Sequence, residues 1–331
     1  MVRISSAVLA AATAATSFSV AAEAKELKFA SFVSSKYVLH KPVFEQLGKD
    51  MAKATGGAVT IRVYPSGELG RGAAEQYKRA ATGIADLAMG VPGYTSSLMP
   101  RTLIIELPGV TTDNNDATKK LWKVMGKHLR SEYKRTVVLG SYTTAPAVLM
   151  MRTKPIRSPE DLKGMKIRVP SRVAGDVIKA YGGTPVQMSA TKVYTSLATG
   201  VIDGILMGPS GLLLFKLNEP AKYVTYGLPA MVTAIYIVMN QKSFDGLTPS
   251  QQKALLNASG RGMSLRSAKL LDQLGTVALN KFAVAEGKQL IKVDAANFAK
   301  FDGLAKKVVA SEVARLKGRG IAADSVLADM K

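Results

Sequence analysis

Two ten-residue stretches of this 331-residue chain echo each other. Tyr77-Lys-Arg-Ala-Ala-Thr-Gly-Ile-Ala-Asp86 and Tyr194-Thr-Ser-Leu-Ala-Thr-Gly-Val-Ile-Asp203 share Tyr, Ala-Thr-Gly and Asp at identical offsets. In each, glycine suits the left-handed residue that closes a helix, and the chain then re-enters a sheet after a short turn. Each echo sits in the same alternation. Around the first, the pattern predicts strands over Glu26–Phe32, Val59–Val63 and Leu87–Val91, with helices over Val43–Lys53 and Ala73–Thr82. Around the second it predicts strands over Lys166–Val169, Pro185–Met188 and Ile205–Met207, with helices over Val173–Tyr181 and Thr191–Thr199. A β-α-β-α-β order met twice specifies two related α/β lobes. No low-complexity linker separates them, so strands or helices must cross between them.

Other features narrow the class. Arg3 precedes an uncharged, Ala-rich run to Ala22, with small residues around Ala22-Glu23-Ala24. This reads as a secretory leader over residues 1–24, too short for a membrane span. The mature chain is then exported and not membrane-embedded. With no cysteine, thiol catalysis and Cys-type metal sites are excluded. The two histidines, His40 and His128, lie far apart, which gives no metal spacing, and no G-x-S-x-G marks a nucleophile. The case for an enzyme is thin, and no cofactor is expected. The net charge of +21 is spread along the chain without basic blocks or interleaved aromatics. That favours a solvated surface over nucleic-acid binding. His128, on a basic amphipathic helix, is expected to be exposed.

The stretch Ser158–Ser171, SPEDLKGMKIRVPS, joins a capped helix start, a glycine stop and a strand. Ser158 caps, Pro159 suits the first turn, Asp161 completes a capping box and Gly164 ends the turn. Alternation sends Ile167 and Val169 to the core and Arg168 to the other side. Two readings stand for Arg168: a surface arginine on an edge strand, or a rigidly held guanidinium that grips a carboxylate by two parallel hydrogen bonds. Further on, Thr248-Pro249-Ser250-Gln251 is a second capping box. A helical pattern runs from it toward Gly287, loosened by Gly260, Gly262 and Gly275 and therefore broken or kinked. A final helix is expected over Ala295–Lys317.

With these pieces in place, the chain resembles the DctP-type solute-binding proteins of TRAP transporters. The resemblance rests on YPSGELGRG (64–72), TGIADLAMG (82–90), ELP (106–108), KPIRSPEDLKGMKIRVPS (154–171), GGTPVQMSATKVYTSLATGVIDG (182–204), FKLNEPAKYVT (215–225) and IVMNQKSFDGLTPSQQKAL (237–255). It implies a two-lobed, type II-like periplasmic binding protein with hinge strands and a long helix crossing both lobes. Lobe 1 would take 25–145 plus 234–273, lobe 2 would take 146–233 plus 274–305, and 306–331 would form a C-terminal helix and tail. The implied function is capture of a small organic acid in the periplasm and delivery to membrane permease subunits. Arg168 would hold the substrate carboxylate. A ligand-presenting sensor subunit and a C4-dicarboxylate binder are the alternatives.

Departures from the family pattern sharpen the ligand. Where many members carry a second arginine, this chain has Ala147 or Val148. Met207 stands at a place of a polar amide and Ala190 at a place of Phe, while Phe32 and Val91 fill positions often polar. One arginine in an apolar cleft favours an aromatic or branched aliphatic monocarboxylate, because an unpaired buried polar group costs about 1–3 kcal/mol. Three further side chains are candidates. His40 is a hydrogen-bond donor to the ligand or a cap. Tyr194 and Tyr236 reach the cleft through their hydroxyls or pack in the core.

Overall fold

The computed structural model describes residues 24–331. The expected leader, but for its last residue, lies outside the described residues. Lobe 1 is built on a five-stranded sheet, β2-β1-β3-β10-β4: β1 Lys25–Ala30, β2 Val59–Tyr64, β3 Leu87–Gly90, β4 Thr136–Thr143 and β10 Ala234–Asn240. Lobe 2 is built on a six-stranded sheet, β11-β9-β5-β8-β6-β7: β5 Val148–Met151, β6 Lys166–Val169, β7 Thr184–Gln187, β8 Gly204–Met207, β9 Tyr223–Tyr226 and β11 Gln289–Lys292. Each sheet has a parallel trio, β2-β1-β3 or β7-β6-β8, followed by an antiparallel strand.

The sequence echo has a structural cause. Gly83 and Gly200 both take left-handed φ, 79° and 77°, which a side chain would resist. Asp86 Oδ2 accepts the Lys28 N–H at 2.8 Å, and Asp203 Oδ2 accepts the Lys166 N–H at 2.8 Å. In both lobes the echo aspartate satisfies a backbone donor on the central strand of the parallel trio. Each sheet is buried on both faces. On β10, Ala234, Tyr236 and Val238 enter one core, while Ile235, Ile237 and Met239 enter the other, the period-2 alternation of a strand.

The chain crosses between lobes along Thr144–Ala147 and Ala230–Thr233. The two crossings hydrogen-bond to each other, Thr144 N–H to Thr233 O at 3.0 Å and Ala147 N–H to Met231 O at 2.7 Å. The helical pattern after Thr248 breaks at Ser259 into helices Pro249–Ala258 and Gly260–Ala283. The second has 24 residues, about 36 Å at 1.5 Å per residue. It buries Met263 and Leu271 in lobe 1, and Ala278 and Phe282 in lobe 2. Gly275 permits the crossing, since a Cβ there would meet the Pro209 ring at 2.9 Å. Helix Ala295–Gly318 runs from Phe301 in the lobe 2 core to Leu316 in the lobe 1 core. The last helix, Ala323–Met330, packs Val326 and Met330 into lobe 1. Its Asp329 pairs with His128 at 2.6 Å, so His128 is half-buried rather than exposed.

Candidate ligand-binding cleft

A cavity lies where the lobes meet, at the carboxyl ends of the parallel strands, where open α/β sheets bind ligands. Lobe 1 contributes Phe32 just after β1 and Val91 and Tyr94 just after β3. Lobe 2 contributes Arg168 and Pro170 from the end of β6, Met207 from β8, and Ala190 beyond β7. The crossings add Thr144 and Thr233, and the long helix adds Leu271. The cavity volume is ≈ 60 Å³, well short of an engineered apolar cavity of about 150 Å³ that takes up benzene. A cavity of this size would take a ring only if the lobes parted or flexible wall groups such as Met207 gave way.

Arg168 is 1% exposed and is the only charged side chain among the described residues lining the cavity. Its strand is not at an edge, because β7 pairs outside it and β8 inside. That removes the reading of Arg168 as a surface arginine. Its Nε donates to Met188 O at 3.0 Å, which fixes the guanidinium plane. Burial lowers its pKa from the ordinary value, and Tyr94 and Glu106 act in the opposite direction. The Tyr94 hydroxyl accepts the Ala190 N–H at 2.8 Å, so its own proton is free to point at a cleft ligand.

The lobes are drawn together around this point. Gln187 Nε2 donates to Gly93 O at 2.9 Å, and the Arg172 N–H donates to Ser96 Oγ at 3.4 Å. Gly93 allows the approach. A Cβ there would lie 2.7 Å from Ser171 Cβ and 2.8 Å from Pro170 O.

Of the eight residues singled out from sequence, Arg168, Met207, Phe32, Val91 and Ala190 line the cavity. Three do not. His40 is buried against Phe44 and pairs with Glu45 at 3.2 Å, and Tyr37, three residues earlier, reaches the cavity instead. Tyr194 is 39% exposed, and its hydroxyl donates to Glu219 at 2.6 Å on the outer surface. Tyr236 points into the opposite core, between Tyr77 and Tyr133, while its neighbour Ile235 faces the cavity. Sequence reasoning missed Tyr94, Thr144 and Thr233, whose hydroxyls make the cleft less purely apolar than expected. Tyr94 sits four residues past β3, and the strand-end rule would have pointed to that loop.

Known proteins share this two-lobed fold. A TRAP solute-binding protein of Rhodoferax ferrireducens in complex with copurified benzoate superposes with a TM-score of 0.87 at 25% identity, over 92% of this chain and 96% of that one. One from Bordetella bronchiseptica with bound (R)- and (S)-mandelate gives 0.84 at 25% identity, over 92% and 97%. The C4-dicarboxylate-binding periplasmic protein DctP of Rhodobacter capsulatus is 27% identical over 65% of this chain and 64% of its own length. Among the described residues, no helix is long and apolar enough to cross a membrane. Residues 29–315 match the family described as bacterial extracellular solute-binding protein, family 7, and the chain belongs to that family, DctP, the solute-binding subunits of TRAP transporters.

Proposed function

We propose that this subunit captures a monocarboxylate with an apolar body, aromatic or branched aliphatic, in the periplasm and hands it to its membrane permease. The observation that carries this reading is the single buried guanidinium in an otherwise uncharged cavity. With Nε held by Met188 O and the Tyr94 hydroxyl beside the guanidinium, the terminal nitrogens of Arg168 would meet the carboxylate together with the Tyr94 proton. Phe32, Val91 and Met207 then meet the apolar body. A second carboxylate, as in a C4-dicarboxylate, would find no second cation. Thr144 and Thr233 leave room for one hydroxyl or oxo group beside the acid. Benzoate and mandelate in the two superposed proteins are acids of this class.

Each lobe supplies part of the site, so the ligand favours the closed form by its differential affinity for it. A neutral molecule would leave the buried guanidinium unpaired, which costs several kcal/mol. The test is a thermal-shift screen of the mature protein with benzoate, mandelate, succinate and galacturonate, with Arg168→Ala alongside. A ligand at 100-fold over its Kd adds about 2.7 kcal/mol of stability. A shift with benzoate or mandelate that vanishes in Arg168→Ala is the expected result. A shift with succinate alone overturns the monocarboxylate assignment, and a shift with galacturonate alone overturns the apolar body.

A further inference from the structure

Helix Asn114–Val124 and the start of helix Gly260–Ala283 pack together on lobe 1, tied by Asn114 Nδ2, which donates to Ala268 O at 2.7 Å. Lys119 and Lys123 of the first helix and Arg261 of the second border one hollow of ≈ 410 Å³. Asp116, Lys120, Trp122, Met330 and Lys331 complete its lining. None of these residues lines the ligand cavity at the lobe boundary.

The charges on this face are divided unevenly. Asp113 caps its helix by accepting the Asp116 N–H at 2.8 Å, and Asp116 pairs with Lys120 at 2.8 Å. Asp272 lies about 16 Å along its helix from Arg261. On the last helix, Asp324 pairs with Lys317, and Asp329 is taken by Lys127 and His128. Lys119, Lys123 and Arg261 are exposed and have no carboxylate in salt-bridge contact among the described residues. Lys119 and Lys123 stand one turn apart, where like charges repel and weaken a helix. Trp122 is the only tryptophan, and its Nε1 donates to Ser141 O at 2.9 Å. The indole's polar edge is thus spent inside the protein, and carbon is what it offers to the hollow.

We propose that this face of lobe 1 docks on an anionic phospholipid surface, with Lys119, Lys123 and Arg261 against the phosphates and the Trp122 ring at headgroup level. The inference is independent of which acid the cleft takes. Charge complementarity selects the occupant. Lysines on long, flexible stems with no neighbour to fix them make a poor cage for one small ion. A bilayer presents many phosphates at once and asks for no fixed geometry. Each Lys or Arg held near such a surface changes partitioning about fivefold, and tryptophan is favoured at the same depth. The net charge of +21 attracts the whole molecule, while the unpaired cluster decides which side makes contact. A subunit that serves a membrane permease would then search for it along a surface rather than through a volume.

Co-sedimentation tests this with vesicles of phosphatidylcholine alone or with roughly one third phosphatidylglycerol. At low salt the mature protein should bind the anionic vesicles and not the neutral ones, and release as NaCl approaches about 0.15 M. Lys119→Gln, Lys123→Gln and Arg261→Gln combined should lower the partition coefficient on the order of a hundredfold. Lys163→Gln, Lys179→Gln and Lys281→Gln remove the same charge from exposed sites of lobe 2 and should lower it only severalfold. Because Trp122 is the only tryptophan, its emission reports contact directly and should shift to the blue on anionic vesicles. Equal losses in the two triple variants, or unchanged emission from vesicle-bound protein, reduce the binding to net charge and overturn the proposal. No binding to anionic vesicles at low salt overturns it too, and saturable binding of glycerol phosphate instead would make the hollow a small-anion site. Thermal unfolding checks that each variant folds. If the first triple variant does not, wild-type emission decides alone: a blue shift on anionic vesicles supports the docking face, and none overturns it.

Discussion

The two lobes place a different residue at one equivalent position. Counting from the backbone N–H that each echo aspartate accepts, Lys28 in β1 corresponds to Lys166 in β6. Two residues on, lobe 1 has Ala30 and lobe 2 has Arg168. Four residues on, Phe32 and Pro170 both line the cavity. Ala30 is 2% exposed within an apolar core that includes Tyr236, whereas Arg168, equally buried, opens onto the cleft. The duplicated framework thus fixes where a wall residue stands, and one side chain decides which wall carries charge. Lobe 1 offers rings and aliphatic groups, and lobe 2 offers the cation.

The harshest way to break the comparison is to make the lobes alike. Ala30→Arg would bury a guanidinium with no anion and no cavity to face, at a cost on the order of 5 kcal/mol. Urea unfolding should show a collapse of lobe 1 stability or a failure to fold. A variant of near wild-type stability would mean that position 30 also opens to the cleft. The reciprocal change, Arg168→Ala, should leave the fold intact and cost about 3–5 kcal/mol of acid binding by calorimetry. Retained affinity would move the anchor elsewhere, with Tyr94 and the crossing-segment threonines the groups left to carry it.

Gly93→Ala addresses the closed approach itself. The new Cβ would overlap Ser171 and the Pro170 carbonyl in the opposite lobe. The overlap is absent when the cleft opens, so folding stability without ligand should hold. Acid affinity should drop by about 1–3 kcal/mol, the usual cost of overpacking, and the ligand-bound protein should scatter X-rays as a wider particle. An unchanged Kd would show that the lobes close less tightly on a ligand than they do here.

Much of this was legible in the sequence, and the exceptions share a cause. Glycine stops, capping boxes and the echo located the elements, because these signals act within a few residues. Strand order is a long-range property. Nothing local in K-I-R-V tells an edge strand from an inner one, so the reading of Arg168 had to wait for β7 to be seen beside it. Tyr236 was ambiguous because Ile235 to Met239 is apolar on both faces, and a doubly buried strand shows no polar alternation to set its parity. Tyr194 lies on a helix of six residues, too short for its buried face to be read from periodicity.

The mildest test uses the echo aspartates. Asp203 accepts the Lys166 N–H alone, while Asp86 accepts the Lys28 N–H and also the Ser243 hydroxyl at 2.5 Å. Ser243 lies within the short helix Gln241–Asp245 that follows β10, so Asp86 ties the parallel trio to the segment after the antiparallel strand as well. A typical hydrogen bond contributes about 0.5–1.5 kcal/mol, and more when the acceptor is charged. Asp203→Ala should therefore cost about 1 kcal/mol in urea unfolding and Asp86→Ala roughly twice that. Ligand affinity should be untouched by either, since both residues lie at the ends of the strands remote from the cleft. Equal costs would reduce the second bond of Asp86 to a solvent-exchanged contact. A larger cost in lobe 2 would mean that the shorter-stranded sheet depends more on its turn than the lobe 1 sheet does.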